Sequence, residues 1–144
     1  MVIDEFRDEY SWLSNFQLLE KPFEFDGIEY RTIEHFYQAM KFESRAVRLD
    51  ISLHQSKGLK SFVRTLKVRP NWHSVKDYYM FLGLQWKFSD NNPELLAKLK
   101  QLPYDCHIIE GNWWGDTYWG VDKESGQGKN VLGKMIMSIR NRLG

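Results

Sequence analysis

Glu34, Gln38 and Lys41 place a carboxylate, an amide and an amine at helical spacing in the first third of the chain. Residues at i, i+4 and i+7 share one stripe of an α-helix, so these groups would be presented side by side. A carboxylate transfers protons, and an amine with a lowered pKa attacks electrophilic carbon. The same spacing is typical of a solvated helix face with a weak Glu–Lys pairing. Spacing alone leaves an active-site wall and a solvated face both open.

A short helix over residues 32–42 is the element that must hold this stripe. Thr32 is a suitable N-cap, and Glu34 falls in the first turn, where the helix dipole favours a carboxylate. An apolar face at helical spacing would bury the helix, and it consists of Ile33, Phe36, Tyr37 and Met40. The pattern therefore predicts a rigid helix with the stripe beside its buried face.

A second candidate site is the glycine-rich aromatic segment of residues 111–122. Three tryptophans and a tyrosine fall within residues 113–119 and follow neither the helix period nor the strand period. Glycine lets a backbone approach a ligand closely, and aromatic rings are surfaces on which a base stacks. Asp116 adds a carboxylate, and Glu110 and Trp113 are further candidate pocket members. The segment predicts a ligand pocket, with a packing corner of a scaffold domain as the alternative.

Two further stretches could face an anion. Residues 126–130, Gly-Gln-Gly-Lys-Asn, resemble half of a phosphate loop and enter the final helix, whose free N–H groups would suit an anion. An ordinary flexible loop explains the same residues. Lysine and arginine also recur between Lys57 and Arg69, which fits either a solvated helix face or an anion-facing patch.

Composition argues against several classes of function. The net charge of +1 gives no global electrostatic reason to bind nucleic acid or an anionic membrane. The four histidines are scattered and Cys106 is the single cysteine, so we expect no metal or other cofactor and no disulfide within the chain. Cys106 lies in an apolar stretch, where we expect it to be an unreactive packing residue. No GxSxG serine motif occurs.

The sequence also predicts where the protein works. No apolar run approaches the roughly 18 residues that a membrane-spanning helix needs. The N-terminus, Met-Val-Ile-Asp-Glu-Phe, lacks the pattern of a signal peptide. We therefore expect a cytoplasmic protein without a membrane partner.

The remaining periodicities predict a mainly α protein, that is, α+β with a small β component, in a single domain over residues 1–144. Asp26-Gly27 between alternating apolar and polar residues predicts an N-terminal β-hairpin over residues 23–30. Helices are expected at 44–67 with a break near Gly58, at 72–88, at 93–102 after an Asn92 cap, and at 130–143. About four short strands are expected, with strands at 2–6 and 106–110 and an irregular loop at 10–16. Residues 72–88 carry apolar side chains nearly all round and predict a buried central helix.

Five sequence blocks occur in an order that resembles one family. They are residues 12–16 (Trp-Leu-Ser-Asn-Phe), 34–42 (Glu-His-Phe-Tyr-Gln-Ala-Met-Lys-Phe), 69–72 (Arg-Pro-Asn-Trp) with Lys76 and Met80 after it, 116–120 (Asp-Thr-Tyr-Trp-Gly) and 126–133 (Gly-Gln-Gly-Lys-Asn-Val-Leu-Gly). Together they resemble the NADAR family, also called YbiA-like, over nearly the whole chain. The resemblance implies a compact, mainly helical fold and an N-glycosidase that splits the bond between ribose C1 and a nitrogen of a base-like heterocycle.

The implied partners are phosphorylated ribosyl substrates of two classes. One comprises ribosylaminopyrimidine phosphate intermediates of riboflavin biosynthesis, and the other is ADP-ribose attached to guanine, including guanine in nucleic acid. A non-catalytic module that binds ADP-ribose or a nucleotide is the alternative function. The oligomeric state is not defined by the sequence.

The resemblance also implies the site residues. Glu34, Lys41 and Asp116 match its catalytic positions. The positions that match its substrate-binding residues are Asn15, Phe16, Gln38, Trp72, Trp119, Gly120, Gly128 and Asn130. The loop after Gly120 is a little longer here and carries the charged residues 122–124, so the fit of the substrate is expected to differ in detail.

These positions suggest two chemical routes. In the first, Glu34 transfers a proton and Asp116 stabilises the cationic sugar. The heterocycle would stack on Trp72 and Trp119, and residues 126–130 would hold phosphate. In the second, Lys41 attacks C1 of a ring-opened ribose and forms a Schiff base.

Overall fold

The structure is a computed structural model, and it describes residues 1–143. In chain order its elements are β1 (Val2–Ile3), a 3-10 helix (Asp8–Leu13), β2 (Phe23–Phe25), β3 (Ile28–Tyr30), α1 (Ile33–Met40), α2 (Arg45–Leu53), α3 (Leu59–Arg64), α4 (Trp72–Lys87), α5 (Pro93–Gln101), β4 (His107–Ile108), β5 (Gly111–Asn112), β6 (Val121–Asp122) and α6 (Val131–Arg142). Helices dominate and the strands are two or three residues long. The predicted fold class is confirmed, although the described residues form six strands rather than four.

The chain divides into two compact units. The central unit is Asn15–Asn92, and the terminal unit combines Met1–Ser14 with the segment from Pro93 onward. The prediction of one domain is not tested by this division and stays a prediction. Within residues 1–143, no helix has the length and apolar character needed to cross a membrane.

The predicted β-hairpin is confirmed in the central unit. β2 and β3 pair antiparallel, with Phe23 opposite Tyr30 and Phe25 opposite Ile28. Asp26 and Gly27 both have positive φ, at 53° and 77°, as a two-residue primed turn requires. The Phe23 ring packs 4.7 Å from the Phe36 ring, measured between centroids, so the hairpin is held against α1.

Helix α1 begins as predicted, but its environment differs. The Thr32 hydroxyl accepts a hydrogen bond from the His35 N–H at 3.0 Å, which confirms the N-cap. Every residue from Ile33 to Met40 is buried, because α2 and α4 both pack against this helix. The alternative of a solvated face is therefore wrong for Glu34 and Gln38, which retain only 6% and 4% of their exposure.

Helix α4 begins and ends close to the predicted positions, but the prediction that it is buried on every side is wrong. Its buried residues are Trp72, Met80, Gly83, Leu84 and Lys87, whereas Tyr78 is 65% exposed. A long tyrosine side chain contributes to apolar periodicity while its phenol remains in water. Packing against α1 is close at Gly83, where an added Cβ would lie 3.2 Å from the Phe36 ring.

One other local prediction needs correction. Residues 8–13 form a 3-10 helix that buries Trp12 and Leu13, whereas we predicted an irregular loop there. Asn92 is buried, and its predicted capping of α5 stays a prediction: its Oδ1 accepts from the Lys21 N–H at 3.0 Å and its Nδ2 donates to the Trp86 carbonyl at 3.0 Å. The break near Gly58 is confirmed, since this glycine precedes α3 with a φ of 83°.

The described part of the terminal unit contains two short parallel strand pairs, two α-helices and the 3-10 helix. β1 pairs with β4, and β5 pairs with β6. Helix α6 packs against β4, where Ile108 and Ile136 are fully buried. The predicted final helix and the strand near residue 107 are thus confirmed within the described residues, and Gly144 lies outside them.

Candidate functional site

Glu34 and Gln38 form a buried hydrogen-bonded pair on α1. The Gln38 Nε2 donates to the Glu34 Oε2 at 2.6 Å. The Glu34 N–H donates to the Asn15 carbonyl at 3.0 Å, which ties the start of α1 to the preceding segment. Taking a carboxylate out of water is costly unless hydrogen bonds compensate, so this pair holds the Glu34 carboxylate in one orientation.

Two side-chain acceptors beside Glu34 have no hydrogen-bond partner among the described residues. They are the Oδ1 of Asn15 and the Oε1 of Gln38, and both atoms are buried. The Asn15 Nδ2 makes a 3.5 Å contact with the Met80 Sδ, which directs the amide oxygen elsewhere. A buried acceptor without a donor costs free energy, and a ligand that supplies N–H or O–H groups would recover it.

Lys41 follows the last turn of α1. Burial is the main cause that lowers the pKa of the Lys41 amine, and the positive charge of Lys60 adds to it. The Glu34 carboxylate acts in the opposite direction and is the second largest influence. The Lys41 Nζ lies 5.5 Å from the centroid of the Tyr37 ring. A lysine held in this way has more of the neutral, nucleophilic amine at a given pH.

Trp72 is buried and packs against Tyr37, the ring beside the Lys41 amine. Its ring centroid lies 5.2 Å from that of Tyr37, and it stacks on Tyr79 at 6.5 Å and 11°. Only 7% of the Trp72 surface is exposed, so most of its side chain contacts other protein residues and little of it is available to a ligand. Phe16 is half-buried, and the Lys60 Nζ lies 5.6 Å from its ring centroid.

In the terminal unit, the Asp116 carboxylate organises the aromatic segment. Its Oδ1 accepts from the N–H groups of Tyr118 at 3.0 Å and Trp119 at 2.9 Å. Asn112 holds Asp116 from the other side, with its Oδ1 accepting from the Asp116 N–H at 2.9 Å and its Nδ2 donating to the Asp116 carbonyl at 2.9 Å. The Asn112 Nδ2 also donates to the Glu110 Oε2 at 3.0 Å.

Sequence reasoning missed Asn112. It is fully buried, and it joins the two carboxylate residues that were predicted to belong to a pocket. The available signal was an amide side chain within a run of glycine and tryptophan, where a polar group must find partners.

Gly120 and Gly128 are explained by packing inside the terminal unit. A Cβ at Gly120 would overlap the Glu110 carboxylate and carbonyl, and a Cβ at Gly128 would overlap the Gly120 carbonyl. Gly128 also has a φ of 156°. The predicted close backbone approach at these glycines occurs, but the approaching atoms belong to neighbouring segments of this chain. The predicted contact of both glycines with substrate stays a prediction.

The prediction that the N–H groups at the start of α6 are free for an anion is wrong, whereas contact of residues 126–130 with phosphate stays a prediction. The N–H groups of Val131 and Leu132 donate to the carbonyls of Tyr118 at 3.1 Å and Trp119 at 3.0 Å. The N–H of Lys129 likewise donates to the Thr117 carbonyl at 2.8 Å. Because backbone carbonyls occupy these donors, the helix start does not offer them to phosphate.

Asn130 has a structural role at the same place. Its Oδ1 accepts from the Glu110 N–H at 2.9 Å and its Nδ2 donates to the Ile108 carbonyl at 2.9 Å. It also adopts a left-handed backbone conformation, with a φ of 53°, just before α6. Asparagine tolerates this conformation better than most residues, which accounts for its position.

The tryptophans of the aromatic segment differ in exposure. Trp113 and Trp114 are 62% and 65% exposed, and the Trp113 Nε1 donates to the Glu5 Oε1 at 3.3 Å. Trp119 is half-buried and meets the Tyr118 ring edge to face at 4.9 Å. Trp119 is thus held by the Asp116 turn, whereas Trp113 lies at the surface.

The basic segment, the cavity and Cys106 show no arrangement that suggests catalysis. Lys57, Lys60, Arg64 and Lys67 are exposed, as a solvated helix face predicts. A cavity of about 360 Å³ in the central unit contains none of the predicted site residues; its lining is Phe42, Glu43, Ser44, Val47, Leu66, Lys67, Val68, Arg69 and Pro70. Within residues 1–143, His, Cys, Asp and Glu form no group of three that could hold a metal ion. Burial raises the pKa of the Cys106 thiol.

The structure therefore brings the predicted site residues together in two groups. The central unit contains Asn15, Phe16, Glu34, Gln38, Lys41 and Trp72, and the terminal unit contains Asp116, Trp119, Gly120, Gly128 and Asn130. In the central unit, the buried Glu34 carboxylate accepts a hydrogen bond from the Gln38 amide. The Lys41 amine, whose pKa is lowered, interacts electrostatically with the same carboxylate. This combination suits proton transfer and nucleophilic attack.

Comparisons with known proteins agree on one family. Residues 3–144 match the family model described as the NADAR domain. The N-glycosidase YbiA of Escherichia coli K12 is 34% identical over 139 residues, which cover 94% of this chain and 83% of that protein. The NMR structure of the E. coli protein YbiA is 32% identical with a TM-score of 0.81, and the match covers 99% of this chain and 83% of that chain.

A more distant relative carries a different name. The chloroplastic riboflavin biosynthesis protein PYRR of Zea mays is 29% identical over 136 residues. The match covers 82% of this chain but only 20% of that much longer protein.

Proposed function

Because the chain belongs to the NADAR domain family, we propose that it is an N-glycosidase that hydrolyses the bond between ribose C1 and a nitrogen of a base-like heterocycle. The observation that carries the proposal is the buried Glu34–Gln38 pair with Lys41 one turn further along the same helix. The similarity to an N-glycosidase over 94% of the chain supports the same reaction class.

Glu34 is the proposed acid and base. Cleavage of an N-glycosidic bond builds positive charge at C1 and negative charge on the departing nitrogen. A carboxylate near C1 accepts a proton from the attacking water and returns one to the leaving nitrogen. Gln38 assists by fixing the carboxylate through its 2.6 Å hydrogen bond.

Lys41 supports a covalent variant of this reaction. The neutral Lys41 amine attacks C1 of the ring-opened sugar, the bond from C1 to the base nitrogen breaks, and that nitrogen takes a proton from Glu34. Water then hydrolyses the resulting imine, which releases the sugar and regenerates the amine. The lowered pKa of Lys41 favours this route, whereas a charged Lys41 would serve the non-covalent route by attracting an anionic substrate.

The unpartnered oxygens of Asn15 and Gln38 support a substrate rich in hydrogen-bond donors. Ribose hydroxyls and the N–H groups of an aminopyrimidine or a guanine both satisfy this requirement. The catalytic role of Asp116, whose Oδ1 is oriented by two N–H groups, is a proposal that rests on the family resemblance. Substrate contacts by Phe16, Trp72, Trp119, Gly120, Gly128 and Asn130 remain proposals that rest on the family resemblance.

We propose a phosphorylated ribosyl substrate of one of two classes. The similarity to a riboflavin biosynthesis protein supports a ribosylaminopyrimidine phosphate. ADP-ribosyl-guanine, free or in nucleic acid, contains the same ribose–nitrogen bond and follows from the family resemblance. Both are compatible with the donors that Asn15 and Gln38 require.

The deciding experiment incubates the protein with each substrate and measures the released base by chromatography. We expect one substrate to be hydrolysed at least a hundredfold faster than the other. Saturable binding of ADP-ribose with no base released from either compound would instead identify a non-catalytic binding module.

A further inference from the structure

Arg69 reaches the end of α1 from the loop before α4. Its backbone N–H donates to the Lys41 carbonyl at 2.9 Å, and its guanidinium Nη1 donates to the Met40 carbonyl at 3.4 Å, so only the second bond depends on the side chain. The last carbonyls of a helix lack partners within that helix, and a cation there interacts favourably with the helix dipole. Arg69 therefore closes the helix at the residue that carries the candidate amine.

The same guanidinium begins a chain of ring contacts that returns to Lys41. The Arg69 guanidinium lies 5.9 Å from the centroid of the Tyr79 ring, and Tyr79 stacks on Trp72 at 6.5 Å. Trp72 in turn packs 5.2 Å from Tyr37, and the Lys41 Nζ lies 5.5 Å from the Tyr37 centroid. Arg69 is therefore linked to Lys41 in two ways: its backbone N–H binds the Lys41 carbonyl, and its guanidinium is connected to the Lys41 Nζ through a series of three aromatic rings.

Arg69 is itself held firmly. Its Nε donates to the Asn71 Oδ1 at 2.8 Å and lies 3.7 Å from the Glu43 Oε1. Its side chain is only 13% exposed. A planar guanidinium satisfies an amide, a carbonyl and an aromatic face at once, whereas a lysine ammonium cannot reproduce this arrangement.

We propose that Arg69 is a positioning residue for Lys41, which keeps the Lys41 amine in its half-buried place above Tyr37. The inference deepens the proposed function and rests on it for the catalytic consequence. Burial in this place is the largest influence on the Lys41 pKa, and the charged groups near it are Glu34 on α1 and Lys60 on α3. Loosening the end of α1 would expose the amine and return its pKa toward 10.5, the ordinary value for lysine.

The test compares Arg69→Lys and Arg69→Met with the wild-type chain. Arg45→Lys and Arg45→Met are matched controls, because Arg45 is an exposed arginine of the same unit that also donates to a carbonyl, that of Asp26 at 3.4 Å. The pH dependence of Lys41 acetylation by acetic anhydride, followed by peptide mass spectrometry, reports the Lys41 pKa without any need for activity. Turnover gives kcat and KM separately.

We expect the Arg69 variants to raise the Lys41 pKa and to lower kcat about tenfold or more, with KM nearly unchanged and the Arg45 variants like wild type. Circular dichroism and urea unfolding identify the folded variants, and Arg69→Lys serves if Arg69→Met does not fold. An unchanged Lys41 labelling curve in a folded Arg69 variant would overturn the proposal. A shifted labelling curve with unchanged kcat would support the positioning role and remove Lys41 from the proposed reaction.

Discussion

The Gln38 Nε2 donates to the Glu34 Oε2 at 2.6 Å within one turn of α1. Both residues are buried, so the hydrogen bond lies in an environment where charge-assisted bonds are strong and their loss is costly. Because a carboxylate only accepts, the amide nitrogen must face Glu34, and the Gln38 oxygen is left for another donor. One hydrogen bond thus orients both the candidate proton carrier and a candidate substrate contact.

Replacing the Glu34 carboxylate by an amide tests the proton-transfer role. Glu34→Gln preserves shape and can still accept from Gln38, so the free energy of unfolding should change by less than about 1 kcal/mol. We expect kcat to fall about a hundredfold or more, because an amide does not transfer the proton. Steady-state turnover with the preferred substrate measures this, and Glu24→Gln on the exposed face of β2 is the control. Retained turnover in Glu34→Gln would contradict the assignment.

Borohydride trapping separates the two roles of Lys41. If the amine forms an imine, reduction during turnover should leave a sugar adduct on the Lys41 peptide, detected by mass spectrometry. Lys41→Arg should then lose nearly all turnover, since a guanidinium keeps the charge but is not a nucleophile at neutral pH. If Lys41 only attracts the substrate, the adduct should be absent and Lys41→Arg should stay active. Lys98→Arg, exposed on α5, is the control.

The lowered Lys41 pKa predicts the pH profile of the covalent route. The amine must be neutral to attack, so kcat/KM should rise with pH, and its midpoint should lie below the ordinary lysine pKa of 10.5. The residual turnover of Lys41→Arg should show no alkaline rise. A profile that falls with pH over the same range would favour the charged, non-covalent role.

His35 should make the fold less stable in mild acid. Burial and the nearby charges of Arg31 and His54 lower the pKa of His35 from 6.5, although its hydrogen bond with the His54 carbonyl at 2.8 Å opposes the shift. The unfolded chain therefore takes up this proton at a higher pH than the folded chain does. The free energy of unfolding should be highest above about pH 6.5 and should fall as the pH drops toward the folded pKa.

Urea unfolding between pH 5 and 8 measures this effect. His35→Gln should be less stable at pH 8, because it loses contacts to Thr32 and His54, but it should show a shallower fall in acid. His73→Gln, at an exposed position, should retain the wild-type slope. Equal slopes in wild type and His35→Gln would show that another group is responsible.

Two glycine substitutions distinguish steric overlap from backbone strain. Gly120→Ala should cost at least about 2 kcal/mol, because its Cβ meets the Glu110 carbonyl and carboxylate. Gly126→Ala should cost only about 1 kcal/mol, because its φ of 73° is unfavourable but no atom lies within 4 Å of the added Cβ. Urea unfolding of both variants provides the comparison. Equal losses would contradict the packing explanation for Gly120.

Local chemistry in the sequence accounts for much of the fold. The Thr32 cap, the Asp26-Gly27 turn and the apolar periods of α1 and α6 are decided by neighbours within a few residues, and they are confirmed. The Glu34, Gln38 and Lys41 stripe is local in the same sense, since helical spacing alone aligns it. The residues and the order of the five sequence blocks also sufficed to indicate the family.

Contacts distant in sequence decided what those elements do. The sequence left Glu34 and Gln38 either solvated or buried, and packing by α2 and α4 buried them. The N–H groups at the start of α6 looked free for an anion, but the carbonyls of residues 117–119 occupy those of residues 129, 131 and 132. Asn112 and Arg69 acquire their roles in the same way. Spacing along one helix is a local property, whereas the partner that satisfies a buried polar group comes from wherever the chain returns.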